Sequence, residues 1–186
     1  MNSDNAKHIV TRDKKKEVFV NAYDEHFDKI YRFIYFKVGN TEEAQDLTSA
    51  TFLKAWNHIK NNKVRKKTLR ALIYKIARNT VIDFYRSKSA GGQNSAAIDT
   101  LDRAINIADE KQDLIRETEL ASDISLIEKR LTELKDEYRE IIILRYTEEL
   151  SIGEIAKILD KSKGNVRVLA YRALKALRDV MEPDGG

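Results

Sequence analysis

The sequence predicts an all-α protein: two small helical domains joined by a flexible linker, the second containing a helix-turn-helix. Apolar residues recur at three- and four-residue steps over most of the chain, the period of helix faces. The 186 residues include one proline, Pro183, and seven glycines, which favours helices over strands and hairpins. Ser87 to Thr100, SKSAGGQNSAAIDT, is small and polar and carries Gly91-Gly92, the composition of a flexible linker. A chain of this length suits one ordinary domain or two small ones.

Residues up to about Glu17 are polar and are expected to form a loose tail, with residues 1–19 set apart from the first domain. Phe27, Ile30, Tyr31, Ile34 and Val38 give the first helix its apolar stripe, and Gly39-Asn40 ends it in a left-handed cap. Thr41 is placed to cap the second helix, with Glu42 and Glu43 complementing its dipole. Ala44, Leu47, Phe52, Ala55, Trp56 and Ile59 form that helix's buried face. A basic connector, Lys60 to Lys67, leads to a third helix from about Leu69 to Arg86, with Leu69, Leu72, Ile73, Ile76, Ala77 and Phe84 on one side. The first domain then covers residues 20–88, the linker 89–121 and the second domain 122–182. Ile127, Leu131 and Leu134 lead that last domain into Tyr138, Ile141, Ile142 and Arg145.

Composition narrows the function. Charged residues make up 34% and apolar ones 42%, as in a soluble, core-forming protein. The absence of cysteine excludes a disulfide scaffold, cysteine-ligated zinc and thiol chemistry. His8, His26 and His58 are too scattered to suggest a metal site, and no cofactor is expected. No apolar run is longer than the four residues Ile141 to Leu144, and MNSDNAKHIVTRDKKKE lacks an apolar signal core. The expectation is a cytoplasmic protein without membrane insertion.

The net charge of +4 is unevenly spread. Lys60 to Lys88 holds ten basic residues against the single acid Asp83, and Lys161 to Arg178 holds six and no acid. Asp99 to Glu154, between them, carries sixteen acidic and eight basic residues. Two basic blocks flanking an acidic stretch fit a polyanion binder with two contact points, or else helix faces kept in water by their charge.

The motifs decide between these. Ser151-Ile-Gly-Glu154 is a capping box opening a helix to Leu159, which breaks at Asp160-Lys161-Ser162 before a new helix near Lys163. Ile155, Ala156, Leu159, Val166 and Leu169 fall where a helix-turn-helix buries its crossing, with Ala156 as the close-approach residue. Asp160 takes the turn position that usually wants glycine, since aspartate tolerates the left-handed conformation. The second helix offers Lys163, Asn165, Arg167, Tyr171, Arg172 and Lys175 outward. Asn165 and Arg167 suit base edges in a major groove, and Arg172 and Lys175 suit phosphates.

In the first domain, Arg70, Tyr74, Arg78 and Tyr85 are placed on the side of the third helix opposite its core stripe. Guanidinium groups alternating with aromatic rings suit single-stranded DNA, with the connector residues Lys63, Arg65, Lys66 and Lys67 at one end. Glu42, Gln45, Asp46 and Ser49 make the second helix's outer face acidic, either for docking a protein or simply for contact with water.

Together the two halves resemble the sigma factors of bacterial RNA polymerase, specifically the small extracytoplasmic-function (ECF) group. EEAQDLTSATFLKAW (Glu42 to Trp56) looks like that group's core-binding helix, and LRALIYKIARNTVIDFYR (Leu69 to Arg86) like its melting and minus-ten-recognition helix. LTELKDEYREIIILRYTEELSIGEIAKIL with KGNVRVLAYRALKALR (Leu131 to Arg178) looks like its fourth region. The resemblance covers about residues 20 to 88 and 122 to 180, in the family's order.

The resemblance implies a transcription initiation factor without enzymatic activity, whose partners are core RNA polymerase, promoter DNA in duplex and single-stranded form, and commonly an anti-sigma factor. Asp46, Leu47, Ser49 and Phe52 fall on the polymerase-docking helix. Arg78 and Asn79 match the Arg-Asn pair near the family's flipped-base pocket, with Lys63, Arg65, Lys66, Lys67, Arg70, Tyr74, Tyr85 and Arg86 on the same minus-ten surface. Lys163, Asn165, Arg167, Tyr171, Arg172 and Lys175 fall on the minus-thirty-five helix. Leu72 stands where a tryptophan is common, Ser49 where a glutamine is, Gly153 where a better helix former is, and Val168-Leu169 where many members carry Ser-Arg.

Two other classes compete. A free-standing helix-turn-helix repressor or activator would bind duplex DNA alone, as a symmetric dimer, and has no use for a melting helix. A nucleic-acid enzyme would need clustered carboxylates to hold metal, and the basic regions offer only Asp83.

Overall fold

The computed structural model describes residues 3–62, 64–90 and 130–181, with side chains described from residue 14 onward. All regular structure among them is helical, and the chain divides into two compact units, Met1–Phe84 and Tyr85–Gly186. The 89–121 linker, almost all of it, and the start of the second domain near Ser122 lie outside the described residues.

The first unit is built from α1 (Ser3–Val38), α2 (Thr41–Asn61) and most of α3 (Lys66–Ala90), whose residues from Tyr85 on are counted with the second unit. The expected loose tail is helical from Ser3. Its anchor is remote in sequence: the Phe19 ring lies 5.1 Å from Trp56 and 6.5 Å from Phe52, both on α2. Gly39 closes α1 with φ +68° while its N–H donates to the Tyr35 carbonyl, the left-handed ending the sequence predicts. The cap of α2 is Asn40 rather than Thr41. Asn40 holds extended backbone and its Oδ1 accepts from the Glu43 N–H at 2.9 Å, whereas Thr41 is already helical.

Ile30, Phe33, Ile34 and Val38 of α1 close over Ala44, Leu47, Phe52, Ala55 and Ile59 of α2. Thr48 and Thr51 are also buried, and their hydroxyls donate back to the Ala44 and Leu47 carbonyls, so neither hydroxyl is stranded. α3 begins earlier and ends later than expected, taking in Lys66 and Ala90. Its most buried face is Leu69, Ile73, Tyr74, Ala77, Val81 and Tyr85, a stripe rotated from the predicted one, which leaves Leu72, Ile76 and Phe84 half-buried. Lys54 of α2 ties to α3 through Thr80 (3.2 Å) and Asp83 (3.7 Å).

The second unit contains α4 (Asp136–Ile142), a π-helical turn (Ile143–Thr147), α5 (Ile152–Ile158) and α6 (Lys163–Met181). Arg139, Glu140, Ile141 and Ile142, the last four residues of α4, sweep some 300° around its axis and are all buried, as are Ile143 and Leu144. The helix is therefore enclosed on all sides where it ends, while Glu137 near its start is exposed. The π turn follows, with the Glu148 N–H reaching the Ile143 carbonyl at 2.9 Å and Glu149 at φ 52°. Arg139 is buried against the preceding turn: Nε donates to the Leu131 carbonyl and Nη2 to those of Thr132 and Leu134. A buried guanidinium is tolerable only with such partners.

The helix-turn-helix matches its sequence reading. Ser151 and Glu154 form the reciprocal capping box. Asp160 adopts φ 54° in the turn, and the Lys161 N–H donates to the Ala156 carbonyl. Ser162 Oγ accepts from the Asn165 N–H and caps α6. Ile155, Ala156 and Leu159 are buried with Val166, Leu169, Ala170 and Ala173. Lys161 and Glu137, 2.9 Å apart, tie the turn to α4.

Candidate nucleic-acid interface

Burial divides α6 into two faces. Val166, Leu169, Ala170 and Ala173 point inward, which turns Lys163, Asn165, Arg167, Tyr171, Arg172 and Lys175 to the outside, all exposed. Tyr171, at 72% exposure, is the most open large hydrophobic side chain of the helix. No acid interrupts this face before Asp179. From Lys163 to Lys175 is twelve steps, or about 18 Å of helix on a cylinder about 10–12 Å wide, which matches a major groove about 12 Å across. Val168, which the sequence marks as a departure from the family pattern, is half-exposed on the same surface, one helical turn from Asn165 and Arg172.

In the first unit the structure separates residues that sequence had grouped. Arg65, Lys66 and Lys67 are exposed at the start of α3, and Asn79 and Arg86 are exposed along it. Arg70 and Arg78 are half-buried, while Lys63 lies outside the described residues. Tyr74 and Tyr85 do not stand opposite the core: they are in it, at 0% and 6% exposure. Tyr74 packs edge-on against Phe33, with centroids 5.5 Å apart. An aromatic ring spaced between arginines fits either face of a helix, and here the core took both rings. This surface therefore offers cations and an amide, with no stacking from Tyr74 or Tyr85.

On α2, Glu42, Gln45, Asp46 and Ser49 are exposed in one line, which continues to Leu53 at 62% exposure. Leu53 was missed, although it sits four residues after Ser49 and seven after Asp46. Leu47 and Phe52, predicted as docking residues, are buried beneath this face. Phe52 meets the rings of Tyr23 (4.8 Å) and Phe27 (5.8 Å) and so packs within the core of the first unit.

His26 also escaped the sequence reading. It is buried on α1 and its Nδ1 has no hydrogen-bond partner among the described residues. Burial holds its pKa below the ordinary 6.5; Glu25 pulls it back up, and Arg70 and Lys29 press it lower.

With this geometry in place, comparisons with known proteins can be set against it. The family model Sigma-70 region 2 matches residues 22–91, and Sigma-70, region 4 matches residues 124–177. The chain is 30% identical over 164 residues to the RNA polymerase sigma factor SigV of Bacillus subtilis, covering 88% of this chain and 90% of that protein. It is also 30% identical over 168 residues to the ECF RNA polymerase sigma factor BldN of Streptomyces coelicolor, covering 90% of this chain but 62% of that protein. Among solved structures, the sigma factor RpoE from Bartonella quintana, in complex with the anti-sigma factor NepR, matches with a TM-score of 0.64. That match, at 21% identity, covers 89% of this chain and 98% of the other, and it is a likeness of fold.

Proposed function

The chain belongs to the ECF group of the sigma-70 family, and from that premise we propose that it binds bacterial core RNA polymerase and directs it to promoters by reading minus-thirty-five and minus-ten elements. The observation that carries this reading is the outer face of α6, exposed and basic on a helix-turn-helix. Asn165 and Arg167 meet base edges of the upstream duplex, and Arg172 and Lys175 meet its phosphates.

In the first domain, Asn79 with Arg78 receives an unstacked base of the minus-ten element while Arg65, Lys66, Lys67 and Arg86 hold the strand's phosphates. Extruding a base costs about a few kcal/mol, which the pocket and the phosphate contacts offset. The exposed line Gln45, Asp46, Ser49 and Leu53 docks on the polymerase, supported from below by Leu47 and Phe52. Linking the two DNA contacts through one chain raises the effective concentration of the second, so two weak sites select one promoter. The protein has no chemistry of its own in this scheme, acts in the cytoplasm, and is open to control by an anti-sigma factor.

The deciding experiment is the affinity of labelled protein for bacterial core RNA polymerase. Nanomolar binding that weakens at least tenfold in Asp46→Ala and Leu53→Ala supports the reading. No binding at micromolar polymerase, together with tight duplex binding by the protein alone, would instead identify a free-standing helix-turn-helix regulator.

A further inference from the structure

Lys15 reaches from α1 to the far end of α2, where its Nζ donates 2.8 Å to the Lys60 carbonyl. α1 and α2 run antiparallel about Gly39 and Asn40, which is why the early turns of α1 lie beside the last turn of α2. Lys15 itself serves the free carbonyls at a helix end. Lys14 and Lys16, about 100° to either side of it, flank that contact, and both are exposed, as is Lys60. Five residues further on come Arg65, Lys66 and Lys67, also exposed, and a chain of that length spans at most about 18 Å. Seven cations are thus gathered at one end of the helical hairpin, with Glu17 the exposed acid beside them on α1.

Lys14 to Lys16 precede residue 22, where the region 2 match begins, so the family pattern does not account for them. Their chemistry favours one partner class. Lysine is depleted in protein interfaces, whereas compact ammonium groups are well suited to phosphates. Duplex DNA presents one phosphate charge per about 1.7 Å of axis, so even part of this span faces several phosphates.

We propose that Lys14, Lys15 and Lys16, joined by Lys60, form a sequence-independent contact with the phosphate backbone of duplex DNA, continuous with the Arg65–Lys67 connector. The proposal rests on the promoter-binding reading above and extends its DNA track onto α1.

The test uses holoenzyme assembled from core polymerase and the full chain, with a promoter duplex selected by the wild-type holoenzyme as probe. Affinity is measured from 50 to 300 mM salt for wild type, Lys14→Gln/Lys16→Gln and Lys14→Gln/Lys15→Gln/Lys16→Gln, with Arg167→Ala alongside. The double variant keeps the Lys15–Lys60 contact, which separates any folding defect from lost charge. The expected result is a log–log salt slope shallower by about two in the double variant, at about 0.9 per phosphate contact. Base preference and affinity for core polymerase should be unchanged. An unchanged slope overturns the proposal, as does a loss confined to core-polymerase binding, which would assign the lysines to a protein surface. Should Arg167→Ala also leave promoter affinity and preference intact, the promoter reading itself fails, independently of the lysines.

Discussion

The Tyr74 ring stands edge-on to Phe33, 5.5 Å between centroids, at the contact between α1 and α3. This arrangement assigns the tyrosine to packing. Removing it as Tyr74→Ala should destabilise the first domain by about 3–5 kcal/mol, as for other buried aromatics. Tyr74→Phe keeps the ring and should leave promoter opening within twofold of wild type, measured by permanganate reactivity of unpaired thymines. A large opening defect in Tyr74→Phe at normal stability would return the residue to the DNA surface.

Arg167 and Arg172 should separate by the kind of contact each makes. Arg167→Ala is expected to cost about 1–3 kcal/mol and to relax preference at one base pair. Arg172→Ala should weaken binding equally across sequences and reduce the salt slope by about one. Binding of holoenzyme to a panel of single-base promoter variants at two salt concentrations distinguishes these outcomes.

His26 makes the first domain sensitive to acid. Its folded pKa lies below the unfolded value of 6.5, so on acidification the unfolded chain takes up the proton first. The stability from the neutral imidazole is fully present above that value and is lost as pH falls from it towards the folded pKa. Thermal unfolding should show a midpoint that is steady from pH 7 to 8 and falls as the pH is lowered below 6.5. His26→Leu should flatten that fall, and an equal fall in the variant would exonerate the histidine.

Arg139 satisfies the carbonyls of Leu131, Thr132 and Leu134 at 2.9 to 3.1 Å. Arg139→Ala strands buried acceptors and should lower the stability of the second domain by about 3 kcal/mol, read from the urea midpoint. Arg139→Lys, with a single ammonium in place of the planar fork, should recover less than half of that loss.

What the sequence revealed depended on whether the signal was local. The helix-turn-helix was legible because Ser151 and Glu154 cap each other three residues apart and Asp160 marks its own turn. Gly39 was legible for the same reason. The helical start of α1 was not, because the turns around Lys14 to Lys16 lack an apolar stripe and owe their anchor to Phe19 meeting Phe52 and Trp56 over thirty residues away. Tyr74 and Tyr85 were misplaced because an amphipathic ring fits either side of a helix, and tertiary packing made the choice. Ile141 to Leu144, apolar without a period, gave no hint of the π turn that begins at Ile143. Leu53 could have been found by extending the Asp46–Ser49 line one more turn.

The two-faced character of α6 also bears on how such a protein can diverge. Val166, Leu169, Ala170 and Ala173 hold the fold, while Asn165, Arg167, Val168, Tyr171 and Arg172 are exposed and face outward. Surface changes of that kind typically cost within about 0.5 kcal/mol. On the promoter-binding reading proposed above, the upstream target can therefore drift by successive substitutions, with every intermediate still folded. α3 has less of this freedom, since Arg70 and Arg78 are half-buried beside Tyr74 in the core, although Asn79 and Arg86 along it are exposed. On that reading, after gene duplication new upstream preferences should arise more readily than new downstream ones.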